Sequence, residues 1–273
     1  MNSLLSGRPD SVSANQYLFL QAHRRHHHQV GLARFLLIAA FLSLWELAAN
    51  RQWIDVFFFS CPSGIVTYLY QMFLDHSFFT HTGITLLETI ASFLLVTLLS
   101  LLAATLLWYM NSLAEVLEPY LVILNSLPKS ALAPLLIVWL GTGTNTIIVA
   151  GISVAIFGSI INLYTGFGQA DPEMLKLIYT LGGTRRDALC KVILPSSVPL
   201  ILSNMKVNIG LSLVGVIIGE FLAARRGLGY LIIYGSQVFQ LNMVITSIII
   251  LCAIAMAFYK LIQSLEHHYR KKY

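Results

Sequence analysis

Six stretches of this 273-residue chain, at 32–49, 83–108, 117–140, 146–167, 198–223 and 241–262, are long and apolar enough to cross a bilayer as helices. A span needs about 20 mainly apolar residues, because a helix satisfies every backbone N–H and C=O within the segment where no water can. The rest of the composition agrees: 57% of residues are hydrophobic and only 11% are charged, against about 25% charged in soluble domains. The expected fold class is an all-α polytopic membrane protein with about six transmembrane helices. The stretch 117–140 is the most interrupted, by Pro119, Pro128, Lys129 and Pro134, and reads as an interfacial helix followed by a short or kinked span.

Lys and Arg in the flanks set the orientation, since translocating positive charge is disfavoured. With the N-terminus inside, twelve basic residues fall on inner segments: Arg8, Arg24, Arg25, Arg34, Lys176, Arg185, Arg186, Lys191, Lys260, Arg270, Lys271 and Lys272. Arg51, Arg225 and Arg226 fall outside. Both termini are therefore expected in the cytoplasm, with a basic N-terminal tail at 1–31, a transmembrane domain at 32–265 and a short basic tail at 266–273. The first apolar stretch starts too far into the chain for a cleaved signal peptide and reads as a retained anchor. The net charge of +5 is a topology signal and an attraction to anionic inner-leaflet lipid, not a nucleic-acid footprint.

The largest inner loop, at 168–197, contains LGGTRRDALCKVILP (181–195), a charged and glycine-marked insertion between two apolar runs. Asp171, Pro172 and Glu173 make a helix start, with Asp as N-cap and Pro at the first helical position. Leu175, Ile178 and Tyr179 then share one side. Gly182 and Gly183 break this helix, and a second short amphipathic helix is expected to stop before Pro195. A helix, turn, helix unit of this kind is either a docking surface or an ordinary solvated loop.

The loop resembles that of the permease subunits of ATP-binding cassette importers, which carries EAA, three residues, G, nine residues, then I-x-L-P. Gly182 fits the glycine, Val192 the isoleucine, and Leu194 and Pro195 the final pair, while Lys176, Leu177 and Ile178 replace the Glu-Ala-Ala. Three further stretches, WELAANRQWIDVFFFSCPSGIVTYL (45–69), LPKSALAPLLIVWLGTGT (127–144) and GEFLAARRGLGYLI (219–232), are similar to the nitrate, sulfonate and taurine branch. The resemblance covers residues 35 to 265. It implies a type I importer fold with a cytoplasmic coupling helix, in which Lys176, Gly182, Gly183, Thr184, Arg185, Arg186, Leu194 and Pro195 meet a cytoplasmic ATPase dimer. It also implies a second permease subunit, identical or related, and an external solute-binding protein. The substrate class it implies is a small anionic or heteroaromatic solute. The sequence has no G-x-x-x-x-G-K-[ST] phosphate loop, so ATP and Mg are expected on the partner chain, and this chain is expected to be non-catalytic and to bind no cofactor.

Polar residues within the spans admit two readings. Asn204, Asn208 and Ser212 recur every four residues and share a helix face, which either lines the translocation path or hydrogen-bonds neighbouring helices. Asn162 and Glu220 are further path candidates, Glu220 reading as a gate or packing residue, and Glu88 is an acidic candidate of the same standing as Glu220. Lys206 points elsewhere, towards the inner interface or an acidic neighbour. Gly215 with Gly219, and Gly151 with Ala155 and Ser159, form small-residue ridges for close helix packing or subunit pairing. The cluster HRRHHH (23–28) reads as a basic tail rather than a metal site, and Cys61, Cys190 and Cys252 suggest neither disulfides nor zinc. The alternative to an importer subunit is a self-contained secondary transporter driven by an ion gradient, which would predict inverted repeats and intramembrane ion sites.

Overall fold

The computed structural model describes residues 14–272, with side chains at 30–34 and 36–267. Arg8 and the side chains of the 23–28 histidine and arginine cluster lie outside the described residues. The chain divides into two compact units at Gly64. In the first, α1 (Ala14–Asn50) begins well before the expected boundary at 32, because no Gly or Pro interrupts 14–30. Its membrane-length part is Val30–Asn50. Asp55 caps the short α2 (Val56–Phe59), accepting from the Phe57 N–H at 2.9 Å. The Glu46 carboxylate accepts from the Ser63 N–H at 3.0 Å, which joins the Trp45–Glu46 element to the start of α3 (Pro62–Leu74).

The second unit holds the helical bundle. Its long helices are α4 (Ser77–Tyr109), α7 (Thr144–Phe167), α11 (Val198–Ala223) and α13 (Leu241–Lys272). At 33 residues, α4 is about 50 Å long, well beyond the ~30 Å hydrocarbon core. Among the described residues, five helices meet the length and hydropathy of a span.

The third expected span is not one helix. α5 (Asn111–Ser126) and α6 (Lys129–Leu140) meet at a bend of 97° and make a sixth span only as a broken pair. Pro119 and Pro134 lie inside these helices, and only Pro128 breaks the rod. Leu127 before it is extended (φ −64°, ψ 142°), as the proline ring requires of its predecessor. Lys129 then donates to the Leu124 carbonyl at 2.5 Å, filling an acceptor that the end of α5 leaves open.

α7 packs along both α4 and α11. A Cβ on Gly215 would lie 2.8 Å from the Gly151 Cα and 2.9 Å from the Ala150 carbonyl oxygen, so these two helices touch backbone to backbone. The small-residue ridges therefore pack α7 against α11 within one chain. A separate apolar cluster of Met72, Leu213, Leu228, Leu231, Met243 and Ile250 ties α3, α11 and α13 to the short α12 (Leu228–Gln237).

Candidate functional site

The 168–197 loop is built on α8 (Pro172–Thr180), which Asp171 caps by accepting from the Glu173 N–H at 2.8 Å. It ends in a paired glycine turn. Gly182 has φ +80°, its N–H bonds the Tyr179 carbonyl at 3.0 Å, and the Gly183 N–H bonds the Ile178 carbonyl at 2.9 Å. That is a Schellman motif, in which a residue without a Cβ takes the left-handed position at low cost. A Cβ on Gly183 would stand 2.8 Å from the Ile178 carbonyl oxygen.

Thr184 starts α9 (Arg185–Ala188) with a capping box: its hydroxyl and backbone N–H both meet the Asp187 carboxylate, at 2.7 and 2.9 Å. Lys191 pairs with the same carboxylate at 2.8 Å. Lys191 first, then Thr184, holds the Asp187 carboxyl well below the usual range, and Asp187 in turn raises Lys191.

The second helix does not stop before Pro195 as expected. It widens into a π turn over Leu189–Ile193 and continues through α10 (Leu194–Ser196) into α11. Pro195 has no N–H for the Lys191 carbonyl and its ring would crowd it. Widening the preceding turn, with the Leu194 N–H reaching back to the Leu189 carbonyl, relieves both problems.

The inner side of the loop is anchored. Ala188 and Ile193 are fully buried, and Leu175 and Leu194 pack with Phe167, Leu189 and Ile193 against the ends of α4 and α7. Arg185 also turns inward, donating to the Trp108 carbonyl and the Asn111 Oδ1, both at 2.7 Å, beneath the Trp108 ring. Lys176, Gly182, Thr184 and Arg186 stay exposed. So do Met174 (53%), Leu177 (53%) and Leu181 (75%), whose spacing of three and four gives α8 an apolar outer edge.

The polar stripe of α11 faces protein. Asn204 and Asn208 both donate from Nδ2 to the Ser159 hydroxyl, at 2.7 and 2.9 Å, and Ser159 donates on to the Ser100 hydroxyl at 2.8 Å. With Asn204, Asn208 and Ser212 at 4%, 1% and 0% exposure, this is a buried polar seam between α4, α7 and α11. Asn162 alone of the candidates is exposed. Lys206 forms an ion pair with Glu266 near the C-terminal end of α13.

Glu220 is likewise held by protein groups. Fully buried, it accepts from the Thr85 hydroxyl at 2.6 Å and from the Gly229 N–H at 2.5 Å. Thr85 in turn accepts from the Leu228 N–H at 2.9 Å, so the free amides that open α12 end on Glu220 and Thr85. A Cβ on Gly227 or Gly229 would meet the Glu220 side chain at 2.4 or 2.8 Å, which is why two glycines follow the carboxylate in GEFLAARRGLG. The partner Thr85 lies 135 residues away, and nothing local in the sequence marks it.

Residues 96–271, from mid-α4 to the end of α13, match the family of binding-protein-dependent transport system inner membrane components. The chain belongs to this family. A probable ABC transporter permease protein of Haemophilus influenzae is 29% identical over 240 residues, covering 87% of this chain and 96% of the relative. The formylaminopyrimidine transport permease protein of Halalkalibacterium halodurans is 27% identical, covering 71% and 77%. The taurine transport system permease protein of Escherichia coli is 24% identical, covering 80% and 81%. Among solved structures, the methionine ABC transporter MetNI in inward-facing conformations shares the fold, with a TM-score of 0.60 at 16% identity over 69% of this chain and 94% of that one. The permease is thus a multi-span subunit of an ATP-binding cassette importer, and the ion-gradient alternative falls away.

Proposed function

We propose that this permease couples solute passage to a separate ATPase through the 168–197 loop, with both termini and the loop in the cytoplasm. Lys176, Gly182, Gly183, Thr184, Arg186, Leu194 and Pro195 form or shape the contact, and Arg185 braces the loop against Trp108 and Asn111. The observation that carries this reading is the exposed apolar edge of Met174, Leu177 and Leu181 on a hairpin whose ends are capped and whose inner side is buried. An apolar edge on a rigid, projecting helix suits a groove on another protein, and a rigid lever transmits closure of that partner to α11.

ATP and Mg are bound by the ATPase dimer, a second permease copy or relative completes the path, and an external binding protein delivers the solute. Relatives named for taurine, aliphatic sulfonates and formylaminopyrimidine support a small polar or anionic organic solute.

The test replaces the edge. The double variant Met174→Glu and Leu177→Glu, expressed in the native membrane, should insert normally and lose co-purification of any ATP-binding chain. Undiminished recovery of that chain would overturn the loop assignment.

A further inference from the structure

We propose that the cavity at the ends of α4, α7 and α11 opposite the 168–197 loop is a binding site for a compact zwitterion, its ammonium on Glu88 and its acid group on Arg225 and Arg226. The cavity measures about 490 Å³ and is walled by Glu88, Thr142, Thr144, Ile147, Arg225 and Arg226, within the size range of small-molecule pockets. Its floor is unusual. Glu88 is 1% exposed, yet its Oε2 has no hydrogen-bond partner. The rest of that carboxyl lies against Thr144 and Glu220. The neighbouring Glu220 is already engaged by Thr85 and Gly229, so the open acceptor belongs to Glu88 alone. Native interiors seldom leave a buried acceptor unfilled without a use for it.

The charges select the ligand. A simple anion would find the two guanidiniums at the mouth but leave the Glu88 oxygen without a donor. A simple cation would fill that oxygen but face Arg225 and Arg226. A molecule carrying an ammonium at one end and a carboxylate or sulfonate at the other satisfies both, with three N–H donors for Oε2 and a planar fork of donors for the acid. The site rests on the orientation proposed above, which puts the cavity on the outer side, where an incoming solute would meet it.

The test measures saturable binding of radiolabelled taurine, β-alanine and glycine to the full-length permease in lipid nanodiscs, without ATPase or binding protein. At least one should bind, and ethanesulfonate or ethylammonium, each lacking one charge, should compete about tenfold or more less well. Glu88→Gln should weaken binding by about tenfold or more. The double variant Arg225→Gln with Arg226→Gln should do the same, and it alters only exposed side chains, so it stays informative if Glu88→Gln misfolds. Absence of saturable binding to all three probes, an unchanged affinity in the arginine variant, or ethanesulfonate competing as well as taurine overturns the site. ATPase co-purification, measured in parallel on the same preparations, reports on the permease reading separately.

Discussion

Replacing Glu220 with alanine distinguishes a helix cap from a transport ligand. The substitution leaves the Thr85 hydroxyl and the Gly229 N–H, at 2.6 and 2.5 Å from the carboxylate, buried without an acceptor. Each orphaned donor costs about 1–3 kcal/mol, so the loss is about 2–6 kcal/mol. Most of it falls on α12, because Gly229 is in its first turn and Thr85 holds the Leu228 N–H. In nanodiscs, amide exchange at 228–231 should accelerate by about 30-fold or more, since each 1.4 kcal/mol is a factor of ten. Exchange in the α7–α11 seam should change far less. Glu220→Gln, which keeps one acceptor oxygen, should lose about half as much. The control Asn162→Ala, at an exposed position, should leave α12 untouched. Wild-type exchange across 228–231 in Glu220→Ala, with altered solute selectivity, would refute the capping role and restore Glu220 to the path.

Three further outcomes follow from the same geometry. Gly183→Val drives a Cβ to 2.8 Å from the Ile178 carbonyl oxygen and should abolish ATP-driven uptake while membrane insertion, measured by protease protection, stays normal. Gly215→Val sets side-chain atoms against the Gly151 backbone, and overpacking of this kind should cost about 1–3 kcal/mol, read as a lower melting temperature in detergent. For the loop, Asp187 has its carboxyl pKa depressed by Lys191 and Thr184. Its contribution is thus fully present above the ordinary Asp value of about 3.9 and is lost progressively as pH falls from there towards the lower folded value. The melting temperature of wild type should therefore drop more between pH 5 and pH 3 than that of Asp187→Asn.

What the sequence made legible was what lies close together in the chain. The apolar runs placed the long helices, Asp171 and Pro172 placed the start of α8, and Gly182 and Gly183 placed its end, because each signal acts within a few residues. The π turn before Pro195 escaped, since a proline after a helical run is compatible with a stop or with a widened turn, and only the packing of Ile193 and Leu194 on Phe167 and its neighbours selects the second. The every-fourth-residue spacing of Asn204, Asn208 and Ser212 correctly indicated one face of α11, but the opposing Ser100 and Ser159 lie on other helices, so periodicity could not say what that face meets.

The glutamates show the same limit from the other side. Glu46 and Glu220 each belong to a stretch that resembles the family, and each accepts from the first-turn amides of another helix, α3 through Ser63 and α12 through Gly229. Neither is next in sequence to what it caps: Glu46 is 17 residues from Ser63 and Glu220 is 9 from Gly229. A local cap fixes where a helix begins, whereas a carboxylate reaching from a neighbouring span also fixes where that helix sits. In a bilayer the alternative for those amides is hydrocarbon, which offers them nothing, so short helices such as α3 and α12 need an acceptor supplied from a longer one. On that ground, a carboxylate near the end of an apolar run, followed within 20 residues by Pro-Ser or a glycine pair, reads first as a remote cap and only second as a ligand. Glu88 differs because its oxygen is buried and unclaimed, and that difference, invisible in sequence, separates a structural carboxylate from one available to bind.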